Sequence, residues 1–84
     1  MRYRKKPVII EALQWTGTNI KEVMQFAEDM IYIHGSGEDI KLCVKTIEGT
    51  EFLKHGDYII KGTKEEFYPC KPDIFEMTYE KLME

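Results

Sequence analysis

The stretch Ile40-Lys41-Leu42-Cys43-Val44-Lys45-Thr46 has the pattern that decides the fold. Apolar Ile40, Leu42 and Val44 alternate with Lys41, Cys43 and Lys45, which is the period of an antiparallel strand with one face buried and a lysine face in solvent. Glu48-Gly49 follows with the composition of a hairpin turn, and residues 50–54 are predicted to return as the partner strand.

A helix is predicted before this hairpin. Its apolar residues recur at the spacing i, i+3, i+4 and i+7, at Ile20, Val23, Met24 and Ala27. Asn19, with Glu22 three residues later, has the composition of an N-terminal capping box. The helix is expected to run from Asn19 to about Asp29.

The remaining elements are short. Strands are predicted at residues 8–15, 30–34, 58–61 and 66–68, and a C-terminal helix at 73–82 follows Pro72. The order β-α-β-β-β-β-β-α predicts an α+β fold: a small antiparallel sheet of four to six strands, with one central and one C-terminal helix packed on it. The expected core consists of Trp15, Phe26, Leu42, Val44, Ile60, Phe67 and Phe75.

Length and charge limit the protein class. The chain of 84 residues is predicted to form a single domain, 1–84, with a basic N-terminal arm at residues 1–6. Four of the 12 basic residues lie in that arm. The chain from Pro7 onward therefore has eight basic and 15 acidic residues, and its net charge is −7. This balance argues against affinity that comes mainly from neutralising phosphates, and we expect no direct contact with nucleic acid.

The sequence also predicts a compartment. Val8, Ile9 and Ile10 are too short an apolar run for a signal peptide, and no stretch approaches the length that crosses a bilayer. We therefore expect a cytoplasmic protein that does not bind membranes, with Cys43 and Cys70 as reduced thiols.

No catalytic or metal-binding motif is recognisable. His34, His55, Cys43 and Cys70 lack the close pairing typical of zinc ligands. Neither a nucleophile elbow nor a phosphate-binding loop is present. The sequence therefore predicts a non-enzymatic protein with no catalytic residues, no metal and no cofactor.

Two features have both a structural and a binding interpretation. Pro69 and Pro72 stiffen residues 66–75, which form either a rigid elbow before the last helix or a rim that presents Tyr68, Cys70 and Lys71 to a ligand. Trp15 either packs in the core, the favoured interpretation, or serves as a binding platform. The candidate binding residues are therefore Trp15, Tyr68, Cys70 and Lys71.

Three parts of the chain resemble a widespread family of small proteins encoded by tailed phages and prophages. They are YRKKPVIIEA at residues 3–12 with QWTG at 14–17, GDYIIKG at 56–62, and EFYPCKPDIF at 66–75. The resemblance implies a phage accessory protein in the cytoplasm of a bacterial host, and it carries over no catalytic residues.

Three modes of action stay open. The protein could inhibit a host defence or nucleic-acid-processing protein through its acidic body. It could instead bind a nucleotide or another small ligand as an oligomer, or serve as a structural or assembly subunit that contacts a phage protein. A homodimer would cover the sheet edges and provide a cleft large enough for a ligand.

Overall fold

A computed structural model describes residues 1–37 and 40–83. In this part of the chain the elements follow the predicted order β-α-β-β-β-β-β-α, and the α+β class is confirmed. A 3-10 turn, Glu28–Met30, joins the first helix to the second strand. The elements are β1 (Glu11–Gln14), α1 (Ile20–Ala27), β2 (Ile31–His34), β3 (Lys41–Thr46), β4 (Gly49–Leu53), β5 (Tyr58–Lys61), β6 (Phe67–Cys70) and α2 (Pro72–Thr78).

The six strands form two antiparallel sheets of three strands each, ordered β1-β5-β6 and β2-β3-β4. The division arises because β1 pairs with β5 and not with β2. Beyond β1 this pairing continues, since the Trp15 amide donates to the Asp57 carbonyl (2.8 Å) and the Gly56 amide donates to the Trp15 carbonyl (2.6 Å). Strands β2, β3 and β4, which lie between β1 and β5 in the chain, form a separate meander.

The main core combines both sheets with α1. Its buried members are Trp15, Val23, Ala27, Ile31, Leu42, Val44, Leu53 and Ile59. Phe26 and Phe67 are half-buried and pack against this cluster, with their rings edge to face at 5.7 Å. Ile60 is buried as predicted, but it lies outside the cluster.

The expectation that Phe75 belongs to this core is wrong. Phe75 is half-buried and lies on α2, a helix that buries no residue completely. Its ring contacts the aromatic side chains of Tyr58 and Tyr79 instead. The helical spacing of Ile74, Phe75, Thr78, Tyr79 and Leu82 predicted one inward face for this helix, but Ile74 is 50% exposed and Leu82 53% exposed. The spacing located the helix and not the face that it buries.

Helix α1 begins directly after Asn19, as predicted, but Asn19 does not cap it. The Asn19 side chain accepts from the Thr16 amide (2.9 Å) and donates to the Gln14 carbonyl (2.8 Å), so it organises the loop between β1 and α1. It also donates to a carboxylate oxygen of Glu22 (3.0 Å), so the two side chains meet, but neither side-chain-to-backbone bond of the expected capping box forms between them. The helix ends at Ala27 because Glu28 adopts φ 50°.

The terminal elements are shorter than predicted. Strand β1 starts at Glu11, and residues 1–9 are exposed without regular structure. Helix α2 ends at Thr78 because Tyr79 is extended (φ −125°, ψ 152°), which leaves Leu82 outside the helix. Within the described residues, no helix has the length and apolar character needed to span a membrane.

Candidate functional site

An aromatic cluster holds α2 against the sheet β1-β5-β6. The rings of Tyr58 and Phe75 stack at 3.8 Å with 10° between their planes, and Phe75 lies 5.2 Å from Tyr79. Tyr58 and Ile60 alternate with Ile59 along β5, so they share the face opposite the main core. The cluster therefore forms a second, smaller core under α2.

Tyr68, a predicted rim residue, belongs to this smaller core. It lies directly opposite Ile60 in the pairing of β5 with β6, and it is half-buried. Burial, the largest cause, and interaction with the Tyr79 hydroxyl raise the pKa of Tyr68 to about 12. The phenol is therefore protonated at neutral pH, and its ring contributes to packing.

Cys70 and Lys71 form the elbow before α2. The Cys70 Sγ is half-buried and donates to the Lys71 carbonyl at 3.6 Å. Burial, followed by the charges of Asp57 and Asp73, raises the pKa of the Cys70 thiol, which favours the unreactive protonated form. Lys71 is exposed and extended (φ −64°, ψ 144°) immediately before Pro72. Of the three rim residues, Lys71 presents its side chain to solvent most openly.

Trp15 lies in the main core. It is 2% exposed, and its ring meets the His55 ring edge-on at 5.7 Å. The indole Nε1 is buried without a hydrogen-bond partner. This burial corresponds to the core-packing interpretation, and the indole presents no face that a ligand could stack on.

The outer face of α2, which we define as Asp73, Ile74, Glu76 and Met77, is exposed to solvent. Ile74 is 50% exposed and Met77 is 86% exposed. Both carboxylates are also exposed. Asp73 and Met77 lie on the side of the helix opposite Phe75, and Ile74 and Glu76 lie on its two flanks. Helix α2 therefore combines an inward aromatic face with an exposed surface that is both apolar and acidic.

The basic N-terminal arm approaches the end of α2. The Lys5 ammonium lies 5.9 Å from the centre of the Tyr79 ring, a distance at which a cation–π attraction operates. Residues 1–9 remain exposed, including Tyr3 and Ile9. The arm therefore meets the aromatic cluster at the C-terminal end of α2.

A second exposed surface covers the solvent side of the sheet β2-β3-β4. Tyr32, Cys43 and Phe52 lie directly opposite one another across the three strands. The Lys45 ammonium is 5.4 Å from the centre of the Tyr32 ring, and the Lys41 ammonium is 5.8 Å from the centre of the Phe52 ring. We call these five residues, together with His34, the basic aromatic face.

Exposure on this face differs from the sequence prediction at one position. Lys41 and Lys45 are in solvent as expected, but Cys43 between them is buried. Its cross-strand neighbours Tyr32 and Phe52 explain this, because side chains on adjacent strands are close enough to cover a small residue. Neither ring was predicted to lie on this face, because placing Tyr32 and Phe52 beside the lysines requires the register of three strands.

Polar interactions tune one lysine of this face. Interaction with the Tyr32 hydroxyl, the largest cause, raises the pKa of Lys45, and the charge of Asp29 acts in the same direction. His34 contacts the other ring, with its imidazole 6.3 Å from Phe52. The face therefore has two similar units, each an exposed ring with an ammonium above it.

Other chemistry is sparse in the described part of the chain. No group of three or more His, Cys, Asp or Glu side chains there is arranged to hold a metal ion. Cys43 and Cys70 are free thiols. Two surface grooves beside Phe67 are lined partly by carboxylates, namely Glu28, Asp29, Glu65 and Glu66, so their charge opposes the binding of an anion.

No protein-family model, curated protein or solved structure matches this chain.

Proposed function

We propose that this chain is a small non-enzymatic accessory protein of a phage or prophage that acts in the cytoplasm of its bacterial host. In this proposal it binds a host protein that processes nucleic acid, and it inhibits that protein. The observation that supports the proposal is the outer face of α2, where Ile74 and Met77 are 50% and 86% exposed.

The geometry of α2 suits recognition of a protein. Exposed apolar side chains on a helix that is held from behind act as anchors, because they can enter pockets of a partner without reorganising their own backbone. The stack of Phe75 on Tyr58 supplies that support from behind. A seven-residue helix has little stability of its own, so the stack is what keeps Ile74 and Met77 in place.

The charge around the outer face of α2 indicates which kind of protein would be its partner. Asp73 and Glu76 lie next to the two apolar anchors on α2, and the chain from Pro7 onward carries −7. Proteins that process nucleic acid have basic clefts for phosphates, and an acidic surface is complementary to such a cleft. Occupying the cleft would compete directly with the natural polyanion, which gives a mechanism of inhibition without chemistry.

The test compares variants of the outer face with a matched control. Tagged wild-type protein, Ile74→Ala/Met77→Ala and Ile47→Ala are used in parallel as baits in host lysate, because Ile47 is similarly exposed but lies in the β3–β4 turn. Each protein captured by the wild type is purified, and its affinity for the three baits and its activity on nucleic acid are measured.

We expect the double variant to bind the purified partner at least about 10-fold more weakly, as loss of interface anchors does, while Ile47→Ala binds normally. Glu76→Lys should slow association and reduce its salt dependence. Equal binding by the double variant and by Ile47→Ala would contradict the proposal, as would a captured enzyme whose activity is unchanged. A melting temperature raised by free nucleotides would instead favour a nucleotide-binding protein.

A further inference from the structure

The basic aromatic face has the components of a stacking surface. Tyr32 and Phe52 are 44% and 56% exposed, although large rings are usually covered by other side chains. They lie two strands apart, which places them about 10 Å from each other. Each ring has an ammonium within 6 Å of its centre. This surface is separate from the outer face of α2 and plays no part in the function proposed above.

We infer that the basic aromatic face binds single-stranded nucleic acid, with one base stacked on Tyr32, another on Phe52, and Lys41 and Lys45 against the adjoining phosphates. This departs from the expectation drawn from net charge. That expectation concerns affinity from phosphate neutralisation, whereas here the rings supply the affinity and two lysines assist.

The spacing of the rings favours a single strand over a duplex. Neighbouring bases in a duplex are stacked about 3.4 Å apart and paired, so two rings about 10 Å apart cannot each cover a base face there. An unpaired strand can separate its bases and place them on successive aromatic side chains. The face is also open, with Cys43 filling the floor between the rings, and so would enclose little of a free mononucleotide.

The lysines occupy the ring faces in the absence of a ligand. A base that stacks on Tyr32 must displace the Lys45 ammonium from its position 5.4 Å above that ring. A stacked base is worth more than an exposed cation–π contact, so the exchange is favourable. The displaced ammonium stays within reach of the phosphate that adjoins the base, and Lys41 can do the same beside Phe52.

The experiment uses fluorescence anisotropy of a labelled oligothymidylate of about ten nucleotides, a length within the usual site size. The variants are Tyr32→Leu and Phe52→Leu, which keep an apolar side chain, together with Lys41→Gln and Lys45→Gln. Ile33→Thr is the matched control, because Ile33 is 47% exposed on the same strand as Tyr32 and points to the opposite side. Lys21→Gln, on the exposed side of α1, controls for charge.

Each ring variant should weaken binding roughly 5- to 150-fold, and the matched control should bind like the wild type. Each lysine variant should reduce the slope of log affinity against log salt by about 0.7, and Lys21→Gln should leave it unchanged. Oligouridylate should bind as well as oligothymidylate, because neither stacking nor the phosphate contacts involve the sugar hydroxyl.

Several outcomes would overturn the inference. They are no binding at low ionic strength, equal binding of a duplex of the same length, equal binding of thymidine monophosphate, and undiminished binding by both ring variants. Circular dichroism melting checks that each variant is folded. If Tyr32→Leu unfolds, Phe52→Leu on the edge strand β4 and the ring-preserving Tyr32→Phe decide the result, since Tyr32→Phe should retain most of the affinity.

Discussion

Replacing Phe75 with alanine tests how α2 is held. The Phe75 ring stacks on Tyr58 at 3.8 Å and contacts Tyr79 at 5.2 Å, and α2 has no completely buried residue to hold it otherwise. Removing the ring should therefore release α2 from the sheet while the main core stays packed around Trp15.

The expected cost lies below that of a fully buried phenylalanine. The half-buried ring removes roughly 80 Å² of apolar surface from water that alanine would leave exposed. At about 25 cal/mol per Å², this burial contributes ~2 kcal/mol to the free energy of unfolding. Loss of the stacked pair adds about 0.5–1 kcal/mol, which gives a total of about 2.5–3 kcal/mol. A phenylalanine in the main core would cost about 3–5 kcal/mol on truncation.

Two probes separate release of α2 from global unfolding. The melting temperature should fall by about 10–24 °C, from about 4–8 °C for each kcal/mol in a domain of this size. In buffer without denaturant, Trp15 emission should stay that of a buried indole, while hydrogen exchange at the amides of α2 becomes fast. Met77→Ala is the control, because its side chain is exposed on the same helix and its loss should change stability by at most about 0.5 kcal/mol.

Two results would refute this reasoning. If Phe75→Ala is no less stable than Met77→Ala, the stack on Tyr58 contributes nothing to holding α2. If Trp15 becomes exposed in the variant before denaturant is added, Phe75 supports the main core directly, and the separation into two apolar clusters is wrong.

Two further predictions concern Tyr68 and Gly17. Because the pKa of Tyr68 is raised from 10 to about 12 in the folded protein, the unfolded chain loses this proton first. The free energy of unfolding should therefore be unaffected by this group below pH 10 and should fall between pH 10 and 12. The fall should be about 1 kcal/mol, allowing for the partial exposure of Tyr68. Urea unfolding of Tyr68→Phe over the same pH range should show a smaller fall. Gly17→Ala should destabilise the protein by about 1–2 kcal/mol, because Gly17 has φ 95° and a Cβ there would lie 3.0 Å from the His55 ring. In thermal melting, Gly37→Ala should lose less stability than Gly17→Ala, because φ is also positive at Gly37 but the space around it is open. Adding His55→Ala to Gly17→Ala should restore part of the lost stability.

The local elements of this protein were predictable from its sequence. The alternation at residues 40–46 and the helical spacing at 20–27 identified β3 and α1, because each pattern places apolar side chains on one side of a single element. The turn at Gly49 was predictable for a similar reason, since this glycine adopts positive φ, which few other residues tolerate.

The positions of element ends were less predictable, because they depend on neighbours outside the element. Asn19 has the composition of a helix cap, but its side chain is occupied by Thr16 and the Gln14 carbonyl. Tyr79 fits the helical pattern of α2 but lies beyond its end, in an extended conformation. The residue type sets which hydrogen bonds and which backbone conformation a residue can adopt, and its neighbours in the fold decide which of them it adopts.

The sequence by itself determined the strands, the helices, their order and the α+β class, because these depend on contacts between residues a few positions apart. Only the tertiary structure decided that β1 pairs with β5, that the strands divide into two sheets and that Phe75 belongs to the smaller core. It also decided that Tyr32 and Phe52 meet the lysines of β3. These features depend on the register between strands and on pairing across the whole chain, which is set by the combined packing of all elements and is not recorded in any one stretch of sequence.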